Sequence, residues 1–174
     1  MLFLGEAFAA IRDFFESGGP VLYGIFIATM LMWCFIIERF WFFLRVLPLE
    51  IKELQVDWEG RTDFESWHAH RIRELLISEI SIKAHRFLSV IDTLMQILPL
   101  LGLLGTVWGM IQVFDVITVF GTANARLMAG GVSQATIPTM AGLVAALSGL
   151  YVATHLKHRA KSEIHRVGEL LARD

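Results

Sequence analysis

An internal disulfide is excluded for this chain, because Cys34 is its one cysteine. It sits in an apolar run with no base or cation near it in sequence, so it reads as a small core or lipid-facing side chain and not as a reactive thiol. Charge is scarce too: 18% of residues are charged against 55% hydrophobic, a balance too apolar for an ordinary soluble domain of 174 residues. The net charge is -2 and the basic residues do not gather with aromatics into a patch, which removes nucleic acid as a partner. No nucleophile and base are set together and there is no phosphate loop, so an enzyme is not expected. Of six histidines, His155 and His158 stand three apart beside Lys157 and Arg159. They lack further ligands and a carboxylate to orient them, so they read as a solvated basic face, with neither metal nor cofactor expected.

The most informative absence is that of Asp, Glu, Lys and Arg from three long runs: 17–37, 93–114 and 127–154. A bilayer core about 30 Å thick takes roughly 20 apolar residues in a helix, and a helix satisfies its own backbone in lipid. The fold class expected is therefore an all-α membrane protein with three transmembrane helices. Residues 93–156 form a transmembrane hairpin about the short polar turn 121–126, and the rest of the chain positions it.

Ahead of the first span, residues 1–19 are not a signal peptide, since Glu6, Arg12, Asp13 and Glu16 interrupt the apolar residues. Phe3, Ala7, Ile11, Phe14 and Phe15 recur at helical spacing, which predicts an amphipathic helix in the interface. Gly18-Gly19-Pro20 breaks it, and the first transmembrane helix occupies 20–45. That helix closes on Glu38-Arg39-Phe40-Trp41, which reads as a membrane-boundary anchor, and Pro48 ends or bends it. Segment 46–92 is cytoplasmic and helical. It has no Gly or Pro between Arg61 and Leu98, and Phe64, Trp67, Leu75, Leu76, Ile80, Phe87, Ile91 and Leu94 mark a stripe. This predicts a helix running without interruption into the second span. Residues 157–174, with Ile164, Val167, Leu170 and Leu171 on one side, should extend the third span in the same way.

Orientation follows from Lys and Arg. Seven lie between Arg45 and Arg86 and five in the tail after Leu156, against Arg12 at the N-terminus and Arg126 in the turn. The positive-inside rule gives N-out/C-in, with the hairpin helices extending into the cytoplasm.

The hairpin is rich in small residues. Gly102, Gly105 and Gly109 on the first arm, and Ala135, Thr139, Gly142, Ala146 and Gly149 on the second, recur every three or four residues, as close packing in lipid requires. Such faces serve packing within one subunit or between subunits, and exposed stretches at Gly102-Gly105-Gly109 and Gly142-Ala146 would favour a ring of copies. Thr106 and Thr139, counted from Ala123, fall at almost the same depth near mid-membrane. Their hydroxyls either bond back to the preceding turn or line a polar path. No Asp, Glu or His stands in the middle of either hairpin helix, Asp92 and Asp115 falling near the ends. A proton pathway normally shows such a group, so if protons pass, another chain supplies the carrier.

The run Leu98-Pro99-Leu100-Leu101-Gly102-Leu103-Leu104-Gly105-Thr106-Val107-Trp108-Gly109-Met110-Ile111, followed by Gly131-Val132-Ser133-Gln134-Ala135-Thr136-Ile137-Pro138-Thr139-Met140-Ala141-Gly142-Leu143, resembles the MotA/TolQ/ExbB proton-channel family, most nearly its ExbB-like members. The resemblance is strong over 94–156 and loose over the first span. It implies a subunit of the bacterial inner membrane, typically a homopentamer in the lipid bilayer, surrounding the single-span helices of an ExbD-like partner that supplies an intramembrane Asp. Such a complex uses the proton-motive force to drive a TonB-like protein in outer-membrane uptake. It also implies that Thr106 and Thr139 line the pore, with Gly102, Gly105, Gly109, Gln134, Ala135, Gly142 and Ala146 in partner-helix or subunit packing. Gln134 stands where many relatives carry a glutamate. A TolQ-like role in envelope maintenance and a non-conducting membrane scaffold are the alternatives.

Overall fold

The computed structural model describes residues 2–60, 66–120 and 125–172. Every element among them is helical: α1 (Leu2–Trp41), a π-helical turn (Phe42–Val46), α2 (Leu47–Glu59), α3 (Trp67–His85), α4 (Leu88–Phe120) and α5 (Ala125–Leu170). Three helical stretches, within 9–59, 67–119 and 129–170, are long and apolar enough to cross a membrane. The contacts divide the chain into two compact units, Met1–Trp33 with Thr93–Gly149, and Cys34–Asp92 with Leu150–Asp174.

In the first unit α1 is broken where the sequence places the break. Gly19 has φ 71° and ψ -172°, a left-handed conformation that glycine takes without a Cβ penalty, and Pro20 then starts the next helical stretch. The turn lets Phe15 reach back over Tyr23 and Phe26, with ring centroids 5.0 and 5.4 Å apart. Leu22, Ile25, Ala28 and Met32 bury one stripe of the following helix, and Leu98, Val113, Ala135 and Ala145 bury the facing stripes of α4 and α5. The outward faces, including Phe26, Ile27, Leu103, Val107, Val144 and Leu147, stay apolar and exposed, as a lipid-facing surface requires.

In the second unit the helix does not stop at Pro48. It loosens into the π turn, where the Leu47 amide donates to the Phe42 carbonyl five residues back, and resumes as α2 with Pro48 in its first turn. Proline has no amide to donate and clashes with the carbonyl four residues before it, and a π turn absorbs that mismatch without ending the helix. Two expectations need correction. The helix expected to run unbroken from 61 into the second span is interrupted at Arg86-Phe87, where Phe87 has φ 62°. Arg39, read as a boundary anchor, is buried, with 2% of its surface exposed. The two are linked: Arg39 Nη1 donates to the Lys83 carbonyl at 2.9 Å, near the C-terminus of α3.

The buried face of α3 also differs from the expected stripe. Ala69, Ile80 and Ala84 are buried, whereas Trp67 and Leu75 are each 67% exposed. Phe64 lies outside the described residues. Small alanines make the close contacts here, and Trp67 lies instead beside the Arg71 guanidinium, 5.4 Å from its ring. α5 continues unbroken to Leu170, burying Ala153, Leu156, Ala160, Val167 and Leu171 on one face. Arg73 Nη2 donates to the Gly168 carbonyl at 2.7 Å, a cationic donor at a helix C-terminus. Asp92 and Lys157 pair at 2.6 Å.

Candidate functional site

The hairpin of α4 and α5 carries the residues singled out by sequence, all in the first unit. Its register is fixed by glycine. A Cβ on Gly109 would stand 2.6 Å from Ala135 Cα, and one on Gly102 would stand 3.0 Å from Thr139 Cα. Gly105 lies against the Pro138 ring and Gly142 against the Leu98 carbonyl and the Gly102 Cα. The backbones therefore meet where side chains are absent, and dispersion between them replaces lipid contacts. The small-residue faces at Gly102-Gly105-Gly109 and at Gly142 are not exposed; they are buried within the hairpin itself. Ala146 is half-buried. Gln134 is half-buried as well, and its Nε2 approaches to 3.0 Å from where a Cβ on Gly19 would be. Pro138 is fully buried; lacking an amide, it leaves the Gln134 carbonyl without its helical donor.

The two threonines differ in what their hydroxyls do. Thr106 Oγ1 donates to the Leu103 carbonyl of its own preceding turn at 2.7 Å. Thr139 Oγ1 donates across the helix pair to the Gly102 carbonyl at 3.0 Å. Both side chains are half-buried. The contacts set Thr139 opposite Gly102 and not opposite Thr106, which lies one turn further along α4, about 6 Å at 1.5 Å per residue. The depths counted from Ala123 differ by less than about one turn, since Gly105 meets Pro138, the residue before Thr139. Earlier in α5, Thr136 bonds back to the Val132 and Ser133 carbonyls at 3.2 and 3.1 Å.

With their protons committed to carbonyls, Thr106 and Thr139 present only oxygen lone pairs to anything beside them. An uncharged carboxylic acid can donate to such an oxygen, whereas a carboxylate needs the hydroxyl to turn away from its carbonyl. Between 93 and 114 this chain has no acid of its own. Among the described residues no three metal-ligating side chains come together.

Sequence reasoning did not find the Thr139–Gly102 bond, the Asp92–Lys157 pair or the buried role of Arg39. The ion pair had a signal, since its partners flank the uncharged runs at the ends opposite the turn. The other two depend on register and on a helix break, and no local pattern announces either.

The family model described as the MotA/TolQ/ExbB proton channel family matches residues 48–169, more than half of the chain. A putative biopolymer transport protein, ExbB-like 1 of Synechocystis, is 26% identical over 82% of this chain and 68% of its own length. ExbB-like 3 of the same organism is 40% identical over 39% of this chain and 33% of its own length. The biopolymer transport protein ExbB of Salmonella typhimurium is 30% identical over 60% of this chain. The matched part spans about a third of ExbB-like 3 and 41% of the Salmonella protein. With three helical stretches able to span a membrane and this match, the chain is a multi-pass membrane protein that belongs to the MotA/TolQ/ExbB proton channel family.

Proposed function

We propose that this chain is an ExbB-like subunit of a proton-motive-force-driven complex in the bacterial inner membrane, forming the wall of a proton path whose titrating acid belongs to a partner. The observation that carries this reading is the pairing of an acid-free hairpin with two threonines that present lone pairs and not protons. A partner of the ExbD type, with a single span and an intramembrane Asp, supplies the missing group. The path is open to a protonated Asp and disfavours an ionised one, so the hairpin helps to set where the acid carries its proton. Gln134 adds no charge to that wall. The biopolymer-transport relatives support an output through a TonB-like protein that energises outer-membrane uptake. A homopentamer is the assembly that the resemblance implies, and the distribution of Lys and Arg supports an N-out/C-in orientation in the bilayer. Because the small-residue faces are consumed inside each hairpin, copies would meet through the larger apolar residues left exposed on α1, α4 and α5.

The test is proton flux in sealed vesicles carrying this chain alone or with an ExbD-like partner. Flux is expected only with the partner, and it should vanish when the partner's intramembrane Asp is replaced by Asn. Equal flux with and without the partner overturns the assignment of the acid, and no flux in either case favours the non-conducting scaffold.

A further inference from the structure

In an unbroken helix running from α3 into α4, the Lys83 carbonyl would accept the Phe87 amide four residues on. In this protein Arg86 leaves helical geometry at φ -54° and ψ 136°, Phe87 turns left-handed at φ 62°, and the Lys83 carbonyl accepts from Arg39 instead. Phenylalanine does not choose that conformation on its own, because its Cβ crowds the following carbonyl. Nor does the sequence contain a Gly or Pro between Arg61 and Leu98 to explain a break. Neighbouring groups hold it. The Phe87 ring lies 5.2 Å from the Arg39 guanidinium, 5.0 Å from that of Arg86 and 5.3 Å from the Phe35 ring. Arg39 is fixed in turn: its Nε and Nη2 donate to Glu38 at 2.7 and 3.0 Å, and it covers the Phe42 ring at 4.6 Å, on the first residue of the π turn.

We propose that Arg39 is the positioning residue that sets the break between α3 and α4, by occupying the acceptor that the Phe87 amide would otherwise use. The junction then has two arrangements. In one, the Lys83 carbonyl is bonded to Arg39 and the helix is broken; in the other, it is bonded to the Phe87 amide and the helix is straight. A charged donor at a helix C-terminus outcompetes a neutral amide for that carbonyl. A buried guanidinium deprived of its acceptor and its aromatic cover is strongly disfavoured, so Arg39 and Phe87 change state together. A left-handed bulky residue held by its surroundings is the kind of strain found at switch regions. This role is independent of whether the hairpin conducts protons.

The experiment uses the full chain in lipid nanodiscs with Cys34→Ser, spin-labelled at Ser78→Cys and Val90→Cys, two exposed positions either side of the break. Their separation is read by pulsed electron paramagnetic resonance. A straight helix places positions 12 residues apart about 18 Å along its axis. Arg39→Met is expected to shift the distribution to that of the straight helix. Arg39→Lys, which keeps a cationic donor, should retain the parent distribution. An Arg39→Met distribution identical to the parent's overturns the proposal. Should Arg39→Met not be recovered folded, His85→Ala raises helix propensity beside the break while leaving Arg39 and the Phe87 ring intact. The parent distribution must then persist, and a straight-helix distribution shows that local preference, and not Arg39, sets the break.

Discussion

Replacing Thr139 by Val removes one hydroxyl and keeps the β-branched shape, so neither a cavity nor overpacking accompanies the change. What is lost is the bond from Thr139 Oγ1 to the Gly102 carbonyl, 3.0 Å long and a side-chain link between α4 and α5 where their backbones lie in close contact. Interhelical hydrogen bonds of this kind in membranes are worth about 0.6 to 2 kcal/mol. The Gly102 carbonyl lies within α4 and keeps its own helical donor, which places the loss near 1 kcal/mol, about a fivefold shift in the folded-to-unfolded ratio. Thr106→Val is the internal control. Its hydroxyl bonds only to the Leu103 carbonyl one turn back, a contact with no reach between helices, and its effect should stay within about 0.5 kcal/mol. Both variants can be unfolded reversibly in mixed micelles of rising SDS fraction, with far-ultraviolet circular dichroism as the probe. Equal destabilisation by the two substitutions, or a neutral Thr139→Val, would refute the argument that these hydroxyls have different structural roles.

Gly109→Ala should destabilise the hairpin by about 1 to 3 kcal/mol, since the new Cβ would stand 2.6 Å from Ala135 Cα, whereas Gly130→Ala, with nothing within 4 Å, should be nearly neutral in the same micelle titration. Asp92→Asn should weaken the fold by about 0.2 to 1 kcal/mol, as befits a pair that is partly exposed; adding Lys157→Gln should bring little further loss, and fully additive losses would show that the pair does not interact. Glu79, and then Glu50, hold the Lys83 ammonium above its ordinary lysine value against the opposing effect of burial. A raised value stabilises the fold at every pH below the ordinary lysine range, and the contribution is lost only as pH climbs through the raised value. Stability attributable to Lys83 should therefore be flat from about pH 6 to 9, and a slope there that disappears in Lys83→Met would contradict this.

How far the sequence carried the reading depends on the type of signal. Three uncharged runs are long-range facts about composition, and lipid allows few structures for them, so the helical class and the hairpin were legible. The Gly19 break was legible as well, because Gly-Pro chemistry is local. Pro48 was ambiguous, since proline forbids one hydrogen bond without dictating whether a helix stops or widens into a π turn. The break at Phe87 was invisible. Its cause is Arg39, 44 positions from the carbonyl that it caps, and no residue at the break itself favours a turn. The exposed Trp67 and Leu75 show the same limit: apolar periodicity identifies a stripe, but Ala69 and Ala84 could come closer to their neighbours and took the buried face. At the site, the glycine and threonine positions stood out by spacing, while their partners did not. The meeting of Gly102 with Thr139 depends on a register set by several glycine contacts at once.

The proposed function rests most directly on Thr106, because its hydroxyl has a half-exposed lone pair to offer and little structural work to do. Proton flux through vesicles containing Thr106→Val together with an ExbD-like partner, normalised to the amount of assembled complex, isolates that offer from stability. The account predicts an intact complex with flux reduced severalfold. Unchanged flux from an intact Thr106→Val complex would contradict a threonine-lined path.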